Sequence, residues 1–339
     1  MATINYGTRL QNVRNRKFDG SLNESLISKS FSRTDIPENI KYLLEITKPL
    51  GDDYNARTKL AAERVQNHLE KGFNLHFDRA YRNQGSVMTN TNIKVFSDFD
   101  LLTIIDRYHF TGPNVPNNNP YTESNPNSDI EDLRSQATKI LKAQYDEVDD
   151  SGTKSISIFN KALYRKVDVV FCFWYNIEEY ERTKDEYYRG IYLYDFDAKR
   201  KILDYPFAHI QSVNSKGANT YDGSRKGIRM LKNIRSDSDN KLNSFQLTTI
   251  IHSMDNGNLP YQTGTEGNLA YNISQKLQSI LDDSNYRKSI NSPNGTECPL
   301  KDDDCVKEIE KIKDELDTLV RDSYSELKNS TLQKSITGY

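Results

Sequence analysis

The residues able to do chemistry are concentrated in one stretch, NQGSVMTNTNIKVFSDFDLLTIID, residues 83–106. Gly85-Ser86 is followed by eleven residues and then by Asp98-Phe99-Asp100, which opens an apolar run. Side chains on a strand alternate between faces, so Asp98 and Asp100 would share one face and Phe99 would take the other. Two neighbouring carboxylates repel and are costly to bury unpaired. A divalent cation resolves that conflict: Mg2+ takes oxygen ligands, keeps several waters and is shared with substrate phosphates. Gly85-Ser86 suits a phosphate-holding turn, where glycine lets the backbone approach and the serine hydroxyl and amides donate. The segment reads as a metal-plus-triphosphate site. A third acid, Asp168 in YRKVDVVFCFWY, lies just inside a second apolar run. Solvent, Arg165 or Lys166 would account for a lone acid there. Beside Asp98 and Asp100, it reads as a third metal ligand.

The elements that must carry these residues follow from periodicity. Residues 53–71 have helical spacing, with Leu60, Ala61, Val65 and Leu69 on one stripe. Residues 75–82 suit a strand leading into the Gly-Ser turn, and a short helix after Ser86 would aim its N-terminus at the phosphates. Residues 98–106 make the acid-bearing strand. The Asn- and Pro-rich stretch 108–128 is loop, either a mobile cover for the site or a plain surface insertion. A helix is expected over 130–145, and strands over 155–160 and 167–175. From about residue 222 the pattern is helical, with segments at 223–235, 241–255, 265–281 and 305–328. This order predicts an α+β fold, with a mixed-sheet core, a C-terminal helical lobe and the nucleotide cleft between them. The expected organisation is an N-terminal arm and helix packing on the core (1–50), a catalytic core (51–215) and a helical lobe with a flexible tail (216–339).

Bulk properties narrow the function. The 339 residues carry a net charge of −2, which argues against a broad nucleic-acid-binding surface. The first 33 residues are locally basic and read as a solvated or docked arm. Three cysteines make no disulfide framework. Cys172 reads as core, while Cys298 and Cys305 flank an acidic loop without a zinc-ligand pattern. His76, His109, His209 and His252 are scattered singly and are assigned no chemistry. The N-terminus has no apolar core of a signal peptide, and the longest apolar run, 169–175, is too short to span a bilayer. A soluble cytoplasmic protein without a membrane partner is expected.

Gly85-Ser86, Asp98-Phe99-Asp100 and Asp168, 68 residues after Asp100, resemble the nucleotidyltransferase fold of the DNA polymerase beta superfamily. The acid pair leading into LLTI is similar to the cGAS/DncV-like nucleotidyltransferases (CD-NTases). The resemblance covers roughly residues 50 to 285. It implies that Asp98, Asp100 and Asp168 bind two Mg2+ or Mn2+ ions, and that Gly85 and Ser86 hold the triphosphate of an NTP. It implies further that Lys232 contacts the triphosphate, with Arg229 or Lys226 as substitutes. Ser244 would donate to a phosphate and Phe245 would stack on a base, in a position where tyrosine is commoner; core packing is the other reading of Phe245. The implied activity is synthesis of a cyclic or linear oligonucleotide second messenger from ATP, GTP or other NTPs, in bacterial anti-phage signalling with a messenger-activated effector. Two other outcomes share the site: nucleotidyl transfer to a small molecule, protein or RNA, and a non-catalytic nucleotide sensor. Direct activation by nucleic acid is disfavoured by the charge. Gly338 stands one residue short of the end, which speaks against conjugation through a terminal glycine.

Overall fold

The computed structural model describes residues 4–97, 99–117 and 124–337. The N-terminal segment forms α1 (Tyr6–Arg16), a small hairpin of β1 (Phe18–Asp19) and β2 (Glu24–Ser25), and α2 (Glu38–Glu45). The core runs α3 (Asp52–Gly72), β3 (Arg79–Gly85), β4 (Phe99–Thr111), α4 (Pro126–Gln144), β5 (Val148–Asp149), β6 (Ser155–Asn160), β7 (Arg165–Asn176), α5 (Glu178–Thr183), β8 (Arg189–Asp195) and β9 (Arg200–Asp204). The helical half follows: α6 (Pro206–Asn219), α7 (Gly223–Asp237), α8 (Ser244–His252), α9 (Glu266–Asp282), α10 (Ser284–Ser289) and α11 (Val306–Thr337).

One mixed sheet has the order β3-β4-β7-β6-β5, with β8 on the second half of β7 and β9 beyond it. β4 and β7 are parallel, and every other pairing in the sheet is antiparallel. A parallel pair needs a crossover, and the chain between β4 and β7 supplies it with α4, β5 and β6. Alternation sorts the two central strands cleanly. Phe99, Leu101 and Ile105 of β4 and Val167, Val169, Phe171 and Phe173 of β7 pack with α3 and α4. Leu102, Ile104, Val170, Cys172 and Trp174 face the other way, where Phe207 of α6 meets Trp174 at 5.8 Å. Cys172 is core, as its apolar run predicts.

Several expectations are corrected here. Leu60 is 40% exposed, and the buried stripe of α3 is Ala61, Ala62, Val65 and Leu69. At about 100° per residue, Leu60 falls outside that stripe. The stretch 108–128 is not all loop: β4 runs to Thr111 and α4 starts at Pro126. Residues 118–123 lie outside the described residues. Thr111 stands eleven residues beyond Asp100, about 36 Å along the strand, so the connection leaves from the end of β4 opposite to the acid. The helix expected after Ser86 is a turn instead. Asn90 takes a left-handed conformation (φ 54°) that stops helical propagation.

The first fifty residues join both parts of the molecule. Leu10 and Val13 of α1 and Tyr42, Leu43 and Ile46 enter the core formed by α7, α8, α9 and α11. The basic side chains of this segment find acids within the chain. Arg9 pairs with Glu315, Arg16 with Asp237 at 2.6 Å, and Lys17 with Glu45 at 2.7 Å. A docked arm, rather than a solvated one, explains the local charge. No helix of the described residues is long and apolar enough to cross a membrane.

Candidate active site

Asp100 of β4 and Asp168 of β7 are register partners on adjacent parallel strands. Both project from the face that carries Leu102, Ile104 and Val170, because they share the even-numbered phase of their strands. Asp98 lies outside the described residues, and no group of three His, Cys, Asp or Glu side chains is clustered for a metal among the described ones. The two acids described still form a donor set for a hard cation. Oδ1 of Asp168 is buried without a hydrogen-bond partner among the described residues. Oδ2 of Asp168 meets Lys166 Nζ at 3.3 Å. Gln84, opposite Asp100 on β3, donates from Nε2 to Asp100 Oδ2 at 2.8 Å. A buried, unbonded carboxylate oxygen is costly, and a divalent ion between the two acids would satisfy it.

Gln84 also borders a cleft of about 290 Å³ between the sheet and the helical half. Gly85, Ser86, Lys232, Ser244 and Phe245 all line this cleft, together with Thr91, Asp204 and His209. Gly85 has φ 106°, a conformation open to glycine, and so directs the chain from β3 into the turn. Ser244 is the first residue of α8, and Asn243 caps that helix through a capping box with Gln246. The helix therefore presents its positive end, with the Ser244 hydroxyl, to the cleft. Arg235 Nη1 donates to Ser244 Oγ at 3.3 Å. A smaller extension, lined by Ser86, Lys94, Lys232, Arg235 and Ser244, gathers three cations beside these donors. Lys232 is buried in the cleft wall, donating to Thr91 O at 3.1 Å and Thr91 Oγ1 at 3.3 Å. The two substitutes expected for it are engaged elsewhere. Arg229 is fully buried against Thr47, Asn90 and Asp222, and Lys226 donates to Tyr261 O. Phe245 is half-buried in the cleft, its ring 5.4 Å from that of His209 at a 32° tilt.

Sequence reasoning missed Gln84, Asp204 and His209. Gln84 precedes the Gly-Ser pair and was within reach of a hairpin-register argument. The histidine, on α6, gives no sequence signal. Its Nδ1 is buried without a hydrogen-bond partner among the described residues. Burial first, and then the charges of Lys232 and His252, push its imidazole down to about 4. Burial likewise raises the Asp204 carboxyl above its ordinary value. A histidine in the unfolded chain titrates near pH 6.5. As the pH falls from about 6.5 toward 4, the unfolded chain takes up a proton that folded His209 refuses, and stability is lost. At pH 5 this loss is about 2 kcal/mol relative to pH 7. His209→Gln should lose less stability than the wild type in urea unfolding at pH 5 compared with pH 7. An equal loss in both proteins would show that His209 titrates normally.

A mixed sheet with acids at matched register, facing a helical half across a cleft floored by a Gly-Ser turn, defines a nucleotidyltransferase. No family model matches the chain. It is 32% identical over 286 residues to a c-di-GMP synthase of a Lachnospiraceae bacterium, a match covering 75% of this chain and 80% of the relative. The chain belongs with it to the CD-NTases, a family of nucleotidyltransferase enzymes. It is also 27% identical over 331 residues to the cyclic dinucleotide synthase CdnE of Yersinia aleksiciae, covering 94% of this chain and 87% of that one. A STING-associated CdnE c-di-GMP synthase from Flavobacteriaceae sp. superimposes with a TM-score of 0.82 at 25% identity, covering 96% of this chain and all of the other.

Proposed function

We propose that this enzyme joins two nucleoside triphosphates into a cyclic dinucleotide, with GTP as substrate, a choice supported by the relatives named c-di-GMP synthase. The observation that carries the reading is the pairing of Asp100 with Asp168 beside a cleft lined by Ser86, Lys232, Ser244 and Phe245. Asp98, Asp100 and Asp168 would hold two Mg2+ or Mn2+ ions. When bound, these ions supply a lowered pKa at the attacking ribose hydroxyl and charge neutralisation at the leaving pyrophosphate. Ser86, Lys232 and the N-terminus of α8 with Ser244 would grip the β and γ phosphates, keeping the α-phosphorus in line for attack. Phe245 would stack on a base. The ribose oxygen of one nucleotide bonds to the α-phosphorus of the other, and pyrophosphate leaves. The linear product would then turn over in the same site for a second, ring-closing transfer. Two structural relatives are STING-associated synthases, which supports a messenger-activated effector as partner, in the cytoplasm during anti-phage signalling.

Mass spectrometry of the products made from the four NTPs with Mg2+ or Mn2+, before and after alkaline phosphatase, tests this. The expected product is a phosphatase-resistant cyclic dinucleotide that forms from GTP alone. Nucleotide transfer that occurs only when a separate acceptor is supplied would overturn the reading.

A further inference from the structure

Four consecutive backbone carbonyls of the turn after Ser86 each accept a hydrogen bond from a different side chain of the helical half. Asn214 Nδ2 of α6 donates to Met88 O at 3.1 Å. Arg225 Nε of α7 donates to Thr89 O at 3.0 Å. Arg229 Nη1 donates to Asn90 O at 2.7 Å, and Lys232 Nζ to Thr91 O at 3.1 Å. Positions 225, 229 and 232 fall on one face of α7, so a single helix face meets three successive peptides in order.

Buried cations ordinarily meet carboxylates. Here Arg225 and Arg229 both pair with Asp222, at 3.4 and 2.6 Å, and each turns a further N–H to a main-chain oxygen of the turn, which holds the backbone itself. Arg229 is fully buried and braced by Asp222 at 2.6 Å and Thr47 O at 2.6 Å. Arg225 Nη2 donates to Asn214 Oδ1 at 3.1 Å, which ties the first two contacts together. Room has been made for this guanidinium. A Cβ on Gly217 of α6 would stand 2.2 Å from the Arg225 guanidinium carbon, so the helix carries in its interior a residue that weakens it. The turn closes on itself through Met88 N to Gly85 O at 3.0 Å, Asn90 N to Val87 O at 3.3 Å and Thr91 N to Ser86 O at 2.9 Å, and the carbonyls of residues 88–91 point outward to the side chains of the helical half.

We infer that Asn214, Arg225 and Arg229 are positioning residues that hold the turn by its carbonyl oxygens, so that Ser86 at its other end faces the cleft. This rests on the triphosphate role proposed for Ser86. Lys232, the last of the four contacts, is the one that also lines the cleft. The turn and α6–α7 then form one preorganised phosphate grip across the two halves of the molecule.

The test measures amide hydrogen exchange of the full chain at 88–91, and affinity for a non-hydrolysable GTP analogue with Mg2+. The variants are Arg225→Gln, Gly217→Ala and the milder Asn214→Ala, each with and without Ser86→Ala. Exchange in the turn should accelerate about tenfold or more in Arg225→Gln and Gly217→Ala, with protection in β4 and β7 unchanged. Analogue affinity should fall about tenfold, and Ser86→Ala should cost less in these backgrounds than in the wild type. Should Arg225→Gln fail to fold, Asn214→Ala must still speed exchange at the turn. Unchanged exchange, or penalties that simply add to that of Ser86→Ala, would overturn the inference. If the wild type binds the analogue and the variants bind it equally well, the inference falls while the proposed function stands. If the wild type binds none, the function falls, and exchange still decides whether these side chains hold the turn.

Discussion

Asn in place of Asp100 or Asp168 is expected to lower pyrophosphate release from NTPs by a thousandfold or more, in variant proteins that melt no earlier than the wild type. The size of the first effect follows from what the carboxylates would do. Each factor of ten in rate is about 1.4 kcal/mol of barrier, and an ion that stabilises developing charge contributes several kcal/mol. The second effect separates a site from a structural cluster. Asp100 and Asp168 are register neighbours, and Asp168 Oδ1 is buried with no hydrogen-bond partner among the described residues. Neighbouring carboxylates repel each other when no cation lies between them. The ion pair of Asp168 with Lys166 is at the rim and half exposed on the lysine side, and such pairs contribute little. Neutralising either acid therefore relieves repulsion at small cost. Activity within tenfold of the wild type in both variants would remove these acids from the chemistry. Melting several degrees lower would mark them as structural instead.

Asp100 and Asp168 could be grouped from sequence because both sit in apolar runs, Asp-Leu-Leu-Thr-Ile-Ile and Val-Asp-Val-Val-Phe, where a lone carboxylate is costly. Their direct juxtaposition was not legible. It depends on a parallel pairing between strands separated by α4 and two further strands, and residue periodicity carries no register across such a gap. The turn after Ser86 defeated a helix expectation for a local reason, the left-handed Asn90. The basic stripe of α7 was visible, but its use was not. Arg229 read as a candidate for phosphate because a charge pattern does not tell an anion from a row of carbonyl oxygens. The N-terminal segment read as a solvated or docked arm because it is locally basic. Leu10, Val13, Tyr42 and Ile46 suffice to bury it once a partner surface exists, and that surface is contributed by helices more than 170 residues away in sequence.

Removing Asp19 alone is expected to cost about 3–5 kcal/mol of stability, and removing it together with Arg165 far less. Arg165 opens β7, three residues before Asp168, and both members of the pair are buried, 2.9 Å apart. Its guanidinium also donates to Thr58 Oγ1 at 3.2 Å and Tyr164 O at 2.7 Å, and it stacks 4.2 Å over Tyr54. Asp19→Ala leaves this cation in the interior without its counter-charge, and the desolvation already incurred goes uncompensated. Asp19→Leu with Arg165→Met removes both charges and fills the space, so the double variant should sit closer to the wild type than either single one. The pH dependence has a definite sign. Burial alone would raise the Asp19 carboxyl, but hydrogen bonds from Arg165 and Ser21 outweigh it and hold the group below its ordinary value. The pair's contribution is therefore present above the unfolded value near pH 4 and is lost as the pH falls through the lower folded value. Urea unfolding of Asp19→Leu, Arg165→Met and the double variant at pH 7 and pH 3 measures both effects. Single-variant losses that merely sum in the double variant would show that the two charges do not depend on one another. The N-terminal segment would then be held to β7 by packing alone.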